Sequence, residues 1–258
     1  MRVSTLARAA LAIAVTAGAA QAQLAGTLNF SGTVLARSAT LPGGGLDPIN
    51  VVLDFSPPGG GFGGITISDD GNTGSFAIFN TVFPAPAFQG TIKDVTVGFG
   101  GTYNVPGFVQ VPLAPIYSFN LMNIAAGSFG SADCFTLPVA GQTCTPDDGM
   151  GNKTVFNLSN TSNGSGIDAV VAFSVNGTVT GPGGPSNFSG TFTAQFPGQS
   201  YQEILATINT PGGTVTRSFS ATLIVTPQST VPEPATVALM ATGLLGLVGF
   251  ARVRRNQA

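Results

Sequence analysis

The chain has 258 residues with a net charge of −2 at pH 7, and only 8 % of its residues are charged. It contains two cysteines and no histidine or tryptophan. The missing histidine excludes Ser-His-Asp and Cys-His catalysis and histidine-ligated metal sites, and the shortage of basic residues disfavours nucleic acid as a partner.

The N-terminal 22 residues have the layout of a secretory signal peptide. Two arginines flank the start of an apolar core at residues 9–20, and Ala20-Gln-Ala22 supplies a small-x-small cleavage site. A membrane anchor is the alternative, but the apolar core is short and a threonine and a glycine interrupt it. We therefore predict that signal peptidase cleaves after Ala22, that the exported chain starts at Gln23, and that residues 1–22 take no part in the fold.

Residues 23–230 form the exported body. With four basic and ten acidic residues, the body carries a net charge of −6, so anionic lipid and nucleic acid are both disfavoured as partners. Serine, threonine, asparagine and glycine supply most of its polarity, as suits an extracellular β-protein. No long charged linker interrupts the body, and we expect one domain with its own core.

The body has the two-residue periodicity of β-strands. The clearest example is residues 27–36, in which Leu28, Phe30, Gly32 and Val34 share one face. Further strands are predicted at residues 50–55, 75–83, 91–99, 116–121, 153–158, 168–175, 178–180, 187–196 and 214–225. The pattern predicts an all-β fold: an antiparallel β-sandwich or jelly-roll-like body with one short helix.

Local signals place the turns and the helix. The Pro/Gly-rich segments 42–45, 57–64 and 181–185 predict loops between strands, and a flexible linker is the alternative for the second of them. Asn176-Gly177 predicts a tight hairpin, because both residues can adopt the positive φ of a type I′ turn. Residues 201–208 have the only helical pattern of the body.

Cys134 and Cys144 are separated by nine residues in a chain that is predicted to be exported. Oxidation is the default outside the cell, so we predict a disulfide. Metal binding is the alternative, but zinc sites with two cysteines need histidine or further cysteines, and the chain lacks both.

Carboxylate chemistry is what remains for an enzyme without histidine, as in glycosidases. The single glutamate of the body, Glu203, falls on the predicted helix, and most aspartates stand in turn sequences, at Asp47, at 69–70 and at 147–148. The last two turns could bind calcium, but neither has the spacing of a calcium-binding loop, and ordinary solvated turns are preferred. We therefore predict no catalytic residues, no metal and no cofactor.

Sugar binding is a separate possibility for an extracellular β-protein. Tyr103, in the predicted loop Gly-Gly-Thr-Tyr-Asn, is the best exposed aromatic candidate, whereas most of the 19 phenylalanines alternate along strands and are expected in the core. A structural role is the preferred interpretation of Tyr103. The segment Asn-Phe-Ser-Gly-Thr occurs twice, at residues 29–33 and 187–191, and either marks two equivalent strands or, as we prefer, recurs by chance in a chain rich in these residues.

The C-terminal segment 231–258 has three parts in a fixed order. A short motif at 231–234 precedes an uncharged apolar stretch at 235–251, which as a helix would be ~25 Å long, just enough to span a bilayer. The basic end at 252–258 carries three arginines, and basic residues stay on the cytoplasmic side, so the body is expected outside. These positive-inside residues are Arg252, Arg254 and Arg255.

The motif itself is Pro232-Glu233-Pro234. The two prolines resist continuing a helix and present Glu233 on an extended strip beside the membrane. Motif, apolar stretch and arginine cluster together resemble the PEP-CTERM sorting tail of Gram-negative bacteria. An ordinary single-span anchor is the alternative.

The resemblance implies recognition by exosortase, an integral-membrane enzyme, and cleavage at or near the motif. The chain would be anchored transiently in the inner membrane and then delivered to the cell surface or to an exopolysaccharide or biofilm matrix. Signal peptidase and exosortase are therefore the expected partners, and exopolysaccharide is a further candidate. The sequence predicts a non-enzymatic structural or adhesive protein; a polysaccharide-binding module is the alternative, and a carboxylate glycosidase is the least favoured.

Overall fold

The computed structural model describes residues 23–41, 46–56, 61–82, 90–112, 116–164, 166–228 and 242–243. The chain separates into two units, the body Gln23–Pro227 and a second unit made of Met1–Ala22 and Gln228–Ala258. The predicted signal peptide and, apart from residues 242 and 243, the sorting tail lie outside the described residues. Within the described ranges, no helix is long and apolar enough to cross a membrane.

The described part of the body contains twelve strands, two short helices and a 3-10 turn. The strands are β1 (Gly26–Thr40), β2 (Leu46–Ser56), β3 (Phe62–Ile67), β4 (Gly90–Lys93), β5 (Val95–Val97), β6 (Gly101–Val111), β7 (Tyr117–Ile124), β8 (Thr143–Cys144), β9 (Asn157–Ser162), β10 (Ile167–Thr180), β11 (Ser186–Phe196) and β12 (Thr214–Pro227). The 3-10 turn is Gly74–Phe76, and the helices are α1 (Phe79–Val82) and α2 (Tyr201–Ile208).

Eight of these strands close into an antiparallel barrel. The order is β11-β12-β1-β3-β4-β6-β7-β10, and β10 pairs again with β11 to complete the ring. The predicted antiparallel all-β architecture is confirmed, but the sheet closes on itself where the sequence predicts a sandwich of two sheets. Closure removes the free strand edges that would otherwise have to be protected from pairing with other chains.

Additional strands extend one end of the barrel, which we call the upper end. There β2 pairs with the second half of β1 and with β5, while β9 pairs with residues 167–172 of β10 and carries β8 on its far side. A single bridge between Phe99 and Thr154 connects these two extensions. The upper end therefore has its own wall of strands.

Helix α2 connects β11 to β12 at the upper end and contacts β1, β9, β10 and β12. It begins at a capping box, in which the Ser200 hydroxyl accepts the Glu203 N–H and the Glu203 carboxylate accepts the Ser200 N–H. Tyr201, Ile204 and Ile208 form its buried face. The predicted helix at 201–208 is confirmed.

An aromatic cluster fills the middle of the barrel. Phe192, on β11, is 1 % exposed and lies at its centre. Its ring centroid is 5.0 to 6.4 Å from those of five other phenylalanines, each on a different strand, Phe30, Phe55, Phe108, Phe173 and Phe219. Such pairs add specific aromatic contacts to the apolar area that they bury.

The predicted strand at 75–83 is wrong. Its described residues form the 3-10 turn and α1 instead. Phe76 and Phe79, three residues apart, both pack against Tyr117, with ring centroids 5.0 and 6.0 Å away. This spacing puts both rings on one face of a helical turn, whereas the sequence pattern predicts a strand for the segment.

The predicted hairpin at Asn176-Gly177 is also wrong, because β10 runs without interruption through these residues. The pairing of β10 with β7 shifts register at this point. A Cβ atom on Gly177 would clash with the carbonyl oxygen of Asn120 and the ring of Phe188. Glycine is thus required here for close packing and not for a turn.

Candidate functional site

The barrel contains an apolar cavity of about 100 Å³ at its upper end, beneath α2. Inward-facing side chains of β1, β2, β10, β11 and β12 line it, together with residues 154–158 and α2. Six phenylalanines contribute to the wall: Phe55, Phe156, Phe173, Phe192, Phe196 and Phe219. Eight-stranded barrels have interiors of the size that side chains fill or that one small ligand occupies.

The strand sequences explain why the upper end is hollow. On β1 the inward face carries Leu28 and Phe30 in the lower half but only Val34 and Ala36 in the upper half. On β11, Ala194 follows Phe192 at the next inward position. Although they face inward, Val34, Ala36 and Ala194 are only half-buried. Small side chains on neighbouring strands therefore leave the space open.

Thr154 supplies a buried polar group in the cavity wall. Its side chain is 4 % exposed, and its Oγ1 has no hydrogen-bond partner among the described residues. The backbone of Thr154 is fully used, because its N–H donates to the carbonyl oxygen of Pro146 and its carbonyl oxygen accepts the N–H of Gly127, both at 2.8 Å. A buried hydroxyl without a partner is costly. Thr193 and Asn209 are further polar residues of the lining.

No charged side chain is among the described residues that line the cavity. Arg217 is nearby on β12, and its guanidinium lies 5.3 Å from the ring centroid of Phe196. Nη1 donates to the carbonyl oxygen of Thr216 and Nη2 donates to Oε1 of Gln199, whereas the buried Nε has no hydrogen-bond partner among the described residues. Because none of the described residues that line the cavity is charged, the cavity suits a neutral occupant.

The structure contains the disulfide between Cys134 and Cys144, as the sequence predicts, with a Cα–Cα distance of 5.1 Å. Both cysteines are fully buried beside Leu158 and the inner face of α2. The carbonyl oxygen of Asp133 accepts the Tyr201 hydroxyl at 3.1 Å. The residue just before the disulfide loop is thereby hydrogen-bonded to the helix that covers the cavity.

Asp47 and Asp148, two of the aspartates that the sequence places in turns, form hydrogen bonds within those turns. The Asp47 carboxylate accepts the N–H groups of Ile49 and Asn50, and the side-chain amide of Asn50 holds the pKa of Asp47 below its usual value. The side-chain amide of Asn152 likewise lowers the pKa of Asp148. These bonds are typical of aspartate in turns.

Asp94 is a carboxylate that the sequence did not single out. It lies between β4 and β5 and accepts the backbone N–H of Phe55 at 2.8 Å. Burial raises the pKa of Asp94, the bond from Phe55 opposes this rise, and the negative charge of Asp54 adds to it. Neither Asp54 nor Asp94 lines the cavity. In the described ranges, no three acidic or cysteine side chains are grouped closely enough to hold a metal ion.

Tyr103 is not in a loop but on β6. Its hydroxyl accepts the N–H of Gly98 at 3.2 Å and donates to the carbonyl oxygen of Phe99 at 3.1 Å, and its ring packs against the core. The preferred structural interpretation of Tyr103 is supported, and the ring does not offer a free platform for a sugar.

A neutral, hydroxyl-rich surface covers the outside of four adjacent strands, β10, β11, β12 and β1. We call it the hydroxyl face. Cross-strand neighbours include Ser174 with Thr191, Thr191 with Thr222, and Ser31 with Ser220. The Thr222 hydroxyl donates to Oδ1 of Asn29 at 2.8 Å. A shallow groove of about 350 Å³ crosses the β10, β11 and β12 part of this face.

The two copies of Asn-Phe-Ser-Gly-Thr lie on this face. Residues 29–33 are on β1 and residues 187–191 are on β11, and both strands pair with β12. The copies therefore flank one strand from its two sides. The sequence allows equivalent strands at the two ends of a sandwich or, as preferred, recurrence by chance; the two copies are instead one strand apart.

Residues 230–255 match the family described as the PEP-CTERM protein-sorting motif. The match confirms the identification of the tail and marks the chain as an exported protein that exosortase sorts to the cell surface. No curated protein and no solved structure matches the chain. The match covers only the tail, so it does not describe what the body does.

Proposed function

We propose that this protein is a non-catalytic structural or adhesive component of the cell surface or extracellular matrix. The observation that carries the proposal is the sorting motif at residues 230–255, joined to a body with few charges. The hydrogen bonds of Asp47, Asp94 and Asp148 support a non-catalytic role, because these carboxylates hold turns and strands together.

The proposal includes an order of processing. Signal peptidase removes residues 1–22, and the apolar stretch 235–251 then holds the chain in the inner membrane with its arginines inside. Exosortase cleaves at or near Pro232-Glu233-Pro234 and releases the body. The mature protein therefore lacks the sorting tail.

Replacing Glu233 with alanine tests this processing. We expect the variant to accumulate uncleaved in the membrane fraction, because the charged residue of the motif is lost while the apolar stretch is intact. The wild-type protein from the surface fraction is expected to end near the motif by intact mass. Gln228→Ala, just before the motif, is the control and should be processed normally. Surface protein that retains residues 235–251 would contradict the proposal.

Polysaccharide contact is a second candidate function, and the hydroxyl face is the observation that favours it. Serine, threonine and asparagine side chains repeat there at the spacing of a β-sheet and can donate and accept hydrogen bonds. The face is large and neutral, which suits an uncharged sugar chain. In this proposal the contact is made by the hydroxyl face and not by Tyr103.

The double variant Thr191→Val, Thr222→Val tests this contact. Valine keeps the β-branched shape and removes two hydroxyls, each worth about 0.5–1.5 kcal/mol in a net hydrogen bond, so binding to the polysaccharide of the producing cell should weaken about 5- to 150-fold. Thr102→Val, exposed on β6, is the matched control. Equal binding by the double variant and the control in a matrix pull-down would exclude the hydroxyl face as the contact.

A further inference from the structure

We propose that the cavity at the upper end of the barrel binds a small neutral molecule that is mostly apolar and carries one hydrogen-bonding group, such as a phenol. This inference goes beyond the proposed surface role and does not depend on it. It rests on the position of the cavity, on the composition of its wall and on the hydroxyl of Thr154.

The cavity has the size and the wall of a site for one small apolar molecule. Its volume of about 100 Å³ is of the same order as apolar cavities that accept benzene. Side chains around an unfilled space lose van der Waals contacts, which an apolar ligand restores. The phenylalanines of the wall, among them Phe156 and Phe173, offer ring faces and edges to an aromatic ligand.

The cavity is partly open to solvent and is not fully enclosed. Its lining includes Leu205 on α2 and Val34 and Val51 on β1 and β2, all of which are half-buried. A ligand can therefore enter without unfolding of the barrel.

Thr154 defines the polar end of the ligand. Thr154 lines the cavity, and its Oγ1 is buried without a hydrogen-bond partner among the described residues. A threonine hydroxyl both donates and accepts, so a ligand hydroxyl or carbonyl group can pair with it once the side chain turns about χ1 towards the cavity. Because such a pair forms away from bulk water, it distinguishes a phenol from benzene.

The uncharged lining favours a neutral ligand. None of the described lining residues is charged, and the terminal nitrogens of the nearby Arg217 bind Thr216 and Gln199, whereas its Nε has no partner among the described residues. A carboxylate placed beside Thr154 would lose its hydration with no charged group among the lining residues to pair with it, which is unfavourable. The expected ligand is therefore neutral at physiological pH.

Binding of phenol and benzene to the wild type and to Thr154→Val tests the proposal. The full chain is kept soluble with an amphipathic polymer, because detergent tails would compete for the cavity, and saturable binding is followed by NMR shifts of the wall residues. We expect Thr154→Val to weaken phenol binding about 2- to 12-fold, as for one net hydrogen bond, and to leave benzene binding unchanged. Thr102→Val should behave as the wild type with both ligands.

Three results would overturn the proposal: no saturable binding of either compound to the wild type, an equal effect of Thr154→Val on both compounds, or benzoate binding as tightly as phenol. If Thr154→Val fails to fold, the variants Ala194→Leu and Ala36→Leu test the site instead. Each fills the cavity from a different strand, and either folded variant should lose both ligands. Retained binding by a folded, filled variant would contradict the assignment of the site.

Discussion

Replacing Phe192 with alanine is expected to lower the free energy of unfolding by about 3–5 kcal/mol, the range for large-to-small changes of buried phenylalanine. Phe192 is 1 % exposed, and its ring meets those of five other phenylalanines. The substitution removes the centre of this cluster and enlarges the neighbouring cavity. Urea unfolding at equilibrium measures the change as a shift of the midpoint.

Phe135→Ala is the matched control for this experiment. Its side chain is 80 % exposed, so the same chemical change should alter the free energy of unfolding by less than about 0.5 kcal/mol. If Phe192→Ala and Phe135→Ala cost the same, the aromatic cluster does not have the central role that its packing indicates.

Loss of the disulfide is expected to destabilise the body by about 3 kcal/mol, since the crosslink closes a short loop and restricts the unfolded chain. The double variant Cys134→Ala, Cys144→Ala removes it. Both cysteines are fully buried, and Asp133, just before the loop, and Gln142, within it, accept hydrogen bonds from α2. Urea unfolding of wild type and variant, each with and without reductant, measures the effect.

Reductant should move the unfolding midpoint of the wild type towards that of the double variant and should leave the variant itself unaffected. This comparison separates the covalent bond from the packing of the two side chains. A wild type whose midpoint does not respond to complete reduction would contradict a stabilising role of the disulfide.

Local sequence signals were sufficient to predict several elements of the structure. The alternation of Leu28, Phe30 and Val34 predicted the inward face of β1, and the structure shows this face. The predicted helix matches α2, because a capping box at its start and a buried stripe of Tyr201 and Ile204 act within a single turn or two. The pairing of the two cysteines was equally local.

Other elements depend on partners far away in the chain. Asn176-Gly177 has the sequence of a hairpin turn, yet β10 continues because β7 and β11 pair with its two edges. Strand β6, which the sequence did not predict, is held by β4 and β7. Gly63, on β3, stands in a segment predicted as a loop, and a Cβ atom there would clash with the backbone of Phe55. Such glycines look like loop signals until the neighbouring strand is known.

The sequence did not predict the cavity, because no short segment indicates it. Its wall combines residues from Val34 on β1 to Phe219 on β12, and its hydroxyl comes from Thr154, between two short strands. Each of these residues looks like ordinary core or loop in sequence. The small inward residues Ala36 and Ala194 are the one available hint, but it acquires meaning only when their strands are known to face one interior.

The sequence by itself determined the destination of this protein, because sorting enzymes read short linear segments, and residues 230–255 carry such a segment in full. It also determined the all-β class, since strand periodicity and the absence of long helical patterns are local properties. Only the tertiary structure decided that β10 returns to β11 and closes a barrel. It also decided that a hollow remains under α2, lined by Thr154, whose hydroxyl has no partner in the described part of the chain. Barrel closure and cavity volume depend on contacts between residues that are distant in the chain, so no single segment of the sequence predicts them.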